Sequence, residues 1–400
     1  MALPLPLLHI QGEFAANVGG GTPAAGAYAI RDLTAVVVSA ITGSSISFTL
    51  ALSTVTAGQT IILNGLTFTA HADTTTTANQ EFDISGNDSA DGDELVTVIN
   101  DSTDGAPGIT ASNAAGTVTI KCEDIVMAPP TGTAVGDTAT LTSLNKITLP
   151  AGTYFCDALA QAHRAGACKS LLWNDTDGVF LLIGNNNYSR ATSVISANCP
   201  VRGRFTLAAE KEIELQTWFQ VDTADGLGFA MNDGQVEVYS DILIWEINGD
   251  ELNSAHWQEQ KATTEAAGGT TGGTFHVRVL DTELHNTITG ASLASNQITL
   301  AAGTYEIDAT AMGFDRGLNN LNLYDTTASA YIELGSCVST SVSVNTGHMM
   351  RCIGRFTLTA ESVLELRDFT NSTKATDGLG VPTSDGEIEV YCDVHITDVG

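Results

Sequence analysis

The 400-residue sequence predicts an all-β fold: two tandem antiparallel sandwiches, the first interrupted by a small ββαββ (α+β) insert. A long internal repeat is the first sign, since "GRFTLAAE" at Gly203 returns as "GRFTLTAE" at Gly354. Strand-like alternation is the second, because "GTYEIDATA" at Gly303 places apolar and polar side chains in turn, which is the period of a half-buried strand. Turn signals separate these short segments about every ten residues, as in an antiparallel sandwich.

The repeat also locates an insertion in its first copy. Arg31 and Arg278 begin matching segments that are 247 positions apart, whereas Ile147 and Ile298 begin matching segments that are only 151 positions apart. The difference of 96 residues is the size of the inserted segment. Insertions are tolerated best at exposed turns, so we place this one in the turn "TGSSIS" that begins at Thr42.

These patterns predict five segments. An N-terminal arm covers residues 1–21, the first sandwich covers 22–247 in two pieces (22–47 and 144–247), the insert covers 48–143, a linker covers 248–273 and the second sandwich covers 274–400. The linker is predicted because its sequence is polar and rich in Gly and Thr. The arm is apolar and broken by prolines, and we expect it either to dock on a partner or to be disordered.

The insert is predicted to be a ββαββ module. Asn64-Gly65 favours the tight turn of a first hairpin, and "GITASNAAGTVTIKC" from Gly108 predicts a second one. Between them, "SADGDELVTVINDS" predicts a helix with Leu95, Val98 and Ile99 on one side and two aspartates near its positive end.

Composition excludes several partners. The chain has 16 basic and 46 acidic residues, a net charge of −30, which repels nucleic acid and anionic membranes. The N-terminus lacks a basic region and no run approaches eighteen apolar residues, so neither a signal peptide nor a membrane span is expected. The seven cysteines are an odd number without a CxxC pair, which predicts mostly reduced, buried thiols made in a cytoplasm.

A family resemblance rests on the motifs "LPAGTY", "GRFTL", "DGLG" and "GEIEVYCDVHI". Together they resemble a domain that recurs in phage tail fibres and head-decoration or head-fibre proteins, whose fold is similar to the tumour-necrosis-factor and complement-type jelly roll. The resemblance covers Tyr28–Ile247 without the insert, and Phe275 to the C-terminus. It implies a tandem jelly-roll protein that forms homotrimers. Ala301 replaces the turn proline in the second copy, and neither copy follows a long fibre shaft, which favours a decoration protein.

The resemblance implies a phage virion surface protein made in the host bacterial cytoplasm. We expect a trimeric capsid decoration or cement protein that binds the major capsid protein and stabilises the head. The alternative is a trimeric tail fibre that joins tail proteins and adheres to a host surface glycan. A bacterial extracellular carbohydrate-binding module is a third possibility.

The sequence predicts no catalytic, cofactor or metal site, and therefore no enzyme. The HExxH and Gly-x-Ser-x-Gly motifs are missing, and the many carboxylates alternate outward on strands as a solvated face instead of forming an acid/base pair. The oxygen-rich segments at residues 83–94 and 174–178 could hold calcium, but they lack the EF-hand spacing, so turn and cap roles are favoured.

Two further sets of residues are candidates for contacts. Trp173, Trp218, Trp245 and Trp257 could form a sugar-stacking platform, although packing in the core or at a subunit interface is favoured. Arg204 and Arg355 occupy matching outward positions in the two copies and could form intersubunit salt bridges.

Overall fold

The chain forms two β-sandwiches, with a small α+β module inserted into the first. The computed structural model describes residues 8–14, 25–30, 35–39, 45–51, 55–63, 66–123, 141–192, 195–231, 233, 235, 237–247, 253–339 and 345–400. Strands dominate these residues, which contain a single α-helix, so the all-β prediction is confirmed.

The elements follow the order that the repeat predicts. Before the insert lie β1 (Leu8–Phe14), β2 (Ala27–Ile30), β3 (Ala35–Ser39) and β4 (Ser45–Ala51). The insert contains β5 (Thr60–Leu63), β6 (Leu66–His71), β7 (Glu81–Asp83), α1 (Asp88–Ile99), β8 (Ile109–Ala114) and β9 (Thr117–Glu123). The first sandwich resumes with β10 (Leu141–Leu149), β11 (Gly152–His163), β12 (Gly166–Asn174), β13 (Val179–Ser189), β14 (Ser196–Leu207), β15 (Lys211–Phe219) and β16 (Glu237–Glu246). The second sandwich contains β17 (Ser254–Lys261), β18 (Thr274–Val277), β19 (Thr282–Asn286), β20 (Ser292–Ala294), β21 (Gln297–Leu300), β22 (Gly303–Phe314), β23 (Leu318–Asp325), β24 (Ala330–Leu334), β25 (Val338–Ser339), β26 (Gly347–Leu358), β27 (Ser362–Thr370) and β28 (Glu389–Asp398).

The two sandwiches share one strand order. Sheet A of the first runs β14-β11-β16-β1-β3, and sheet D of the second runs β26-β22-β28-β17-β19 when read in the same direction. The other sheet of the first sandwich, sheet B, runs β13-β12-β15-β10-β4-β9-β8 with β2 beside β15. Its counterpart, sheet E, runs β24-β23-β27-β21-β20, with β18 beside β27 and β25 beside β23. The duplication is therefore a tandem pair of antiparallel jelly-roll sandwiches.

Each core follows the predicted alternation. In β22, Tyr305, Ile307, Ala309 and Ala311 are buried, while the residues between them face outward. In β28, Cys392, Val394 and Ile396 are buried in the second core, whereas Val390, expected on the same face, lies outside that core, beyond an irregularity in the pairing with β17. Because side chains alternate with a period of two, the other side of each strand is left for surfaces and contacts between the sandwiches.

The shared "AGTY" sequence has a local physical cause. The hydroxyl of Tyr154 donates to the carbonyl oxygen of Pro150 at 2.9 Å, and the hydroxyl of Tyr305 donates to that of Ala301 at 3.1 Å. A Cβ at Gly152 would lie 2.8 Å from the Tyr154 hydroxyl oxygen, so glycine is needed where the tyrosine folds back over the turn. The turn is fixed by this hydrogen bond, and proline is dispensable in the second copy.

The predicted N-terminal arm is wrong for the residues of β1. This strand lies between β16 and β3 in sheet A, with Leu8 opposite Ile244 on one side and Ser39 on the other. The apolar segment belongs to the first sandwich because it supplies a central strand of sheet A. Residues 1–7 and 15–21 of the predicted arm lie outside the described residues.

The predicted linker is wrong for residues 254–261, which form β17 at the same place in sheet D. β17 pairs with β28, and Ala255 and Trp257 point into the second core. Its intervening residues, His256 and Gln258, are also buried, because the first sandwich covers the outer face of this strand. The segment reads as polar because one of its two buried faces meets a polar interface. Residues 248–252 lie outside the described residues.

The insertion point is a two-residue hairpin turn. In the second sandwich, Ala294 pairs with Gln297 across a turn whose residues Ser295 and Asn296 both have positive φ. In the first sandwich the equivalent residues, Ser47 and Lys146, still pair, although the whole insert lies between them. The predicted boundaries at 48 and 143 therefore fall inside β4 and β10, which extend beyond this pair. Residues 42–44 of the predicted turn lie outside the described residues.

The insert has the predicted ββαββ order with one addition, the short strand β7, which pairs in parallel with β6. Leu95, Val98 and Ile99 are buried on one side of α1, as predicted, and the side chain of Asn87 caps its first turn. The hairpin β8–β9 continues sheet B through β4, so the insert shares one apolar core with the first sandwich. The Asn64-Gly65 turn lies outside the described residues.

Candidate functional site

The two sandwiches meet edge to face. Strand β13, at the edge of sheet B, lies against the outer face of sheet D, where Gln258 of β17 donates to the carbonyl oxygen of Ile183 at 3.5 Å. Tyr188 of β13 stacks edge-on against Phe314 with ring centroids 5.1 Å apart, and it packs against a small apolar cluster of the second sandwich.

A buried ion pair crosses this interface. The Lys169 ammonium donates to Asp385 Oδ1 at 2.9 Å and to the carbonyl oxygen of Ile388 at 2.8 Å, and neither charged side chain is exposed. Nearby, Asn186 donates to Glu389 Oε2 at 2.6 Å, and Glu389 also accepts from Thr383 Oγ1. Charges taken out of water in this way need close partners, so these contacts hold the sandwiches in one relative position.

A second charged cluster joins β14 of the first sandwich to β22 and β26 of the second. Arg202 and Arg351 both pair with Asp308. Burial by itself would raise the pKa of Asp308, but the hydrogen bonds and charges of the two arginines outweigh it and the pKa is lowered. Burial raises the pKa of Asp157, the equivalent residue of the first sandwich, and the Arg202 charge offsets part of that effect.

A histidine pair shares one buried carboxylate in the same interface. His256 Nε2 lies 2.9 Å from Asp393 Oδ2, His395 Nε2 lies 2.8 Å from Asp393 Oδ1, and the two rings stack at 3.9 Å. Burial opposes it, but the charges and hydrogen bonds of the histidines hold the pKa of Asp393 far below its usual range. Burial, and then the charge of His256, lowers the pKa of His395 to about 4.

Among the described residues, this trio is the only group of three side chains with metal-ligand chemistry. Gln258 also donates to Asp393 Oδ2, at 2.5 Å, so the carboxylate is hydrogen-bonded from several directions by the protein itself. The arrangement is that of a structural network beneath the first sandwich. No helix in the described part of the chain has the length and apolar character needed to cross a membrane.

The four tryptophans do not form one platform. Trp257 lies in the second core and donates from Nε1 to Glu283 at 2.9 Å. Trp245 packs against Phe155 on the outer face of sheet A, and Trp173 contacts Phe180 on the outer face of sheet B. Trp218 faces outward on sheet B and is 6% exposed. The favoured packing role is confirmed most directly for Trp257.

The two matching arginines have different surroundings. Arg204 lies 3.3 Å from His285 of the second sandwich, so it contributes to the contact within one chain. Arg355 is about half exposed and lies 3.6 Å from Glu306. The predicted intersubunit role of these residues stays a prediction.

The oxygen-rich segments serve local turns. Asp83 accepts from Ser85 at 2.8 Å, and Asn87 accepts from the first amides of α1. In the other segment, Asn174 donates to Asp177 at 2.9 Å, and Asp177 also pairs with Lys211. These hydrogen bonds are the turn and cap roles favoured by the sequence.

Among the cysteines whose side chains the structure describes, five are buried: Cys156, Cys168, Cys199, Cys352 and Cys392. Cys337 is exposed because it follows β24 at the edge of sheet E. The sequence analysis did not predict this exposure. Burial raises the pKa of the Cys352 thiol to about 12, which makes it a poor nucleophile.

The covered face of the second sandwich has an uncovered counterpart on the first. Val390 and Thr383 are buried at 0% and 1% exposure, beneath β13. The equivalent residues of the first sandwich, Val238 and Met231, are 44% and 76% exposed. Leu159 and Phe229 continue this patch at 40% and 39% exposure, and we call these four residues the open face.

A second exposed surface was missed by the sequence analysis. Phe275, Tyr324, Tyr331 and Phe369 form a chain of ring contacts on the outer face of sheet E. Aligning the copies would have found it, since Trp173, Phe180 and Trp218 occupy the positions equivalent to Tyr324, Tyr331 and Phe369.

A groove of about 560 Å³ lies where the insert hairpin β8–β9 meets the first sandwich. It is lined by hydroxyl-bearing and charged side chains, among them Thr110, Ser112, Thr119, Lys121, Lys211 and Glu212.

No family model and no curated protein matches the chain. Among solved structures, a Paenibacillus xanthan lyase matches at 12% identity with a TM-score of 0.17, covering 74% of this chain and 31% of its own. This chain thus spans about a third of the length of that enzyme. The tandem CBM22-1–CBM22-2 domains of Paenibacillus barcinonensis Xyn10C match at 13% identity with a TM-score of 0.18, covering 64% of this chain and 83% of theirs. TM-scores this low carry no argument about fold or function.

Proposed function

We propose that the chain is a structural protein of a phage virion surface, and that it acts as a homotrimeric decoration or cement protein of the head. Two observations support this role. The sequence motifs resemble those of phage virion proteins, and the interactions found in the described part of the chain are those of packing surfaces and buried ion pairs. Its partners are further copies of this chain and the major capsid protein.

The open face is the observation that carries this proposal. Within one chain, the edge strand β13 of the first sandwich covers the outer face of sheet D in the second. Such a head-to-tail contact leaves two equivalent surfaces uncovered: the outer face of sheet A in the first sandwich and the edge strand β24 in the second. The unused surfaces are the open face and the region around β24, where Leu334 is 70% exposed and Ile353, equivalent to Arg202, is 59% exposed. Large apolar side chains gathered at the counterpart of a covered surface support docking to another protein.

In this role the protein contributes binding energy and no reaction. A cement protein that binds only the assembled shell shifts the equilibrium toward assembly, because it adds its own binding free energy to the assembled state. A net charge of −30 keeps the exposed surface soluble and discourages nonspecific adhesion.

The copy number of the chain in purified virions tests the proposal. Quantitative mass spectrometry with isotope-labelled peptides from both sandwiches gives copies per particle relative to the major capsid protein. A decoration protein is present in hundreds of copies, whereas a handful of copies supports the tail-fibre alternative. Absence from purified particles contradicts both.

A further inference from the structure

The outer face of sheet E carries an exposed aromatic surface on four adjacent strands. Phe275 of β18 lies 5.1 Å from Phe369 of β27 and 5.2 Å from Tyr331 of β24, measured between ring centroids. Tyr331 in turn lies 4.9 Å from Tyr324 of β23. We call these four residues the aromatic platform.

The strand register explains why these rings point away from the core. Along β27, Leu364 and Leu366 are buried in the second core, so the alternate residues Glu365, Arg367 and Phe369 face outward. Outward positions of an antiparallel sandwich are ordinarily polar. Phe275 and Tyr331 are nevertheless 46% and 36% exposed, which leaves apolar ring surface in water.

Fixed polar groups border the rings. The guanidinium of Arg367 stacks over the ring of Tyr324 at 3.4 Å and donates twice to Glu365, at 2.9 and 2.7 Å. Gln297 donates to the other oxygen of Glu365 at 2.8 Å. These contacts hold a carboxylate, a guanidinium and an amide beside the rings before any ligand arrives.

The first sandwich carries aromatic residues at the same outward positions. Trp173 and Phe180 contact each other at 4.8 Å between centroids, and Trp218 lies on the same face. Gln216 donates to Glu214 at 2.7 Å, in the place of Arg367 and Glu365. Both copies have aromatic residues at these positions, although the residue types differ. Phe275 and Tyr331 of the second copy are exposed to solvent, whereas Trp218 of the first copy is only 6% exposed.

Charge and shape narrow the class of ligand. Nucleic acid also stacks on aromatic rings, but a chain of net charge −30 repels it together with other polyanions. A neutral sugar carries no such penalty. Its pyranose ring offers an apolar C–H face to an aromatic ring, and its hydroxyls both donate to carboxylates and accept from guanidinium and amide groups.

We propose that the aromatic platform is a binding site for a neutral oligosaccharide, with sugar rings stacked on Phe275 and Tyr331 and hydroxyls hydrogen-bonded to Glu365, Arg367 and Gln297. This site goes beyond the decoration role, because it gives sheet E of the second sandwich an adhesive function. That function does not depend on which part of a particle the chain occupies.

Affinity electrophoresis of the full chain tests the site. Native gels contain a soluble neutral glucan, mannan or galactan, or no polysaccharide, and the strongly acidic chain migrates well in them. We expect retardation by at least one of the three. The Phe275→Ala and Tyr331→Ala variants each lose about tenfold in affinity, as the loss of one stacking contact implies.

Leu284→Ala is the matched control, because Leu284 is 47% exposed on β19 of the other sheet. It retains the parent mobility shift, and circular dichroism confirms that all three variants fold. No retardation in any of the three gels overturns the proposal, and so do platform variants that bind like the parent. If the platform variants instead change the oligomeric mass in light scattering, the surface is a protein interface. The copy number in virions is independent of these results, so the two proposals fail separately.

Discussion

Replacing Lys169 by methionine breaks the ion pair between the sandwiches without removing its aliphatic volume. In the native protein the ammonium contacts both Asp385 and the carbonyl oxygen of Ile388, and the side chains of the pair are 0% exposed. The variant leaves a buried carboxylate without its cation. Asp385 keeps only part of its hydrogen bonding, including the amide of Glu387 at 3.2 Å.

The expected cost follows from burial. Removing one partner of a buried ion pair costs about 3–5 kcal/mol, because the remaining charge stays out of water. The unpaired Ile388 carbonyl contributes to this figure, since an unsatisfied buried group alone costs about 1–3 kcal/mol. The double variant Lys169→Met/Asp385→Leu removes both charges and recovers most of the loss, because an apolar pair of similar volume needs no desolvation.

Urea unfolding followed by circular dichroism measures these free energies of unfolding. Lys261→Met serves as the control: Lys261 and Asp281 are 3.4 Å apart with side chains 21% and 36% exposed, and such a pair contributes less than about 1 kcal/mol. If the free energy of unfolding of Lys169→Met lies within about 0.5 kcal/mol of that of the parent, the buried ion pair does not hold the sandwiches together as proposed. A double variant as unstable as the single one leads to the same conclusion.

Three further perturbations test other parts of the structure. Stability falls as the pH is lowered from about 6.5 to about 4, because His395 is held neutral in the folded chain and the unfolded chain binds its proton first; the contribution is roughly 3 kcal/mol. His395→Leu introduces the residue found at the equivalent position of the first sandwich, Leu243, and removes this part of the pH dependence of thermal unfolding. The pH dependence due to His348, whose pKa burial lowers to about 3, remains. If the variant and the parent show the same pH dependence, His395 is not the group responsible. Replacing residues 48–145 by Ser-Asn, the turn of the second copy, yields a shorter chain that circular dichroism shows to be folded and rich in strand; an aggregated product means that the first sandwich needs the insert. Val238→Glu in the open face lowers the oligomeric mass in light scattering, whereas Val179→Glu, at 47% exposure on the edge turn of β13, leaves it unchanged; equal masses for parent and Val238→Glu exclude this face as the contact.

The sequence predicted what local patterns determine. The alternation in β22 and β28, the ββαββ order of the insert and the interruption of the first copy were all readable, because each depends on residues close in the chain or on a repeat. The turn predicted to receive the insertion, residues 42–47, was placed a few residues early, because Ser45–Ser47 belong to β4 and the repeat is interrupted only after Ser47.

The sequence did not predict what long-range packing determines. β1 and β17 were assigned to an arm and a linker because the strands that they pair with, β16 and β28, lie far along the chain. The paired residues are 128 or more positions apart in the second sandwich and 223 or more in the first. β17 also reads as polar, since His256 and Gln258 face the other sandwich. One local signal was available for the interface, because Lys169 stands in the apolar strand "GACKSLLW", where its counterpart is Asn320.

The aromatic platform was missed for a related reason. Its rings come from four strands spread between Phe275 and Phe369, and no single segment contains more than one or two of them. The sugar-stacking surface predicted from the sequence consisted of tryptophans only. Two of these, Trp245 and Trp257, lie on other faces of the fold.

Cryo-electron microscopy of the virion that carries this chain would show where on the particle the chain lies. A decoration protein gives trimeric density on the outside of the icosahedral head, with two sandwiches per chain in edge-to-face contact and the open face buried against a neighbouring copy or the shell. Density for the chain confined to the tail, or particles without it, would contradict the decoration role.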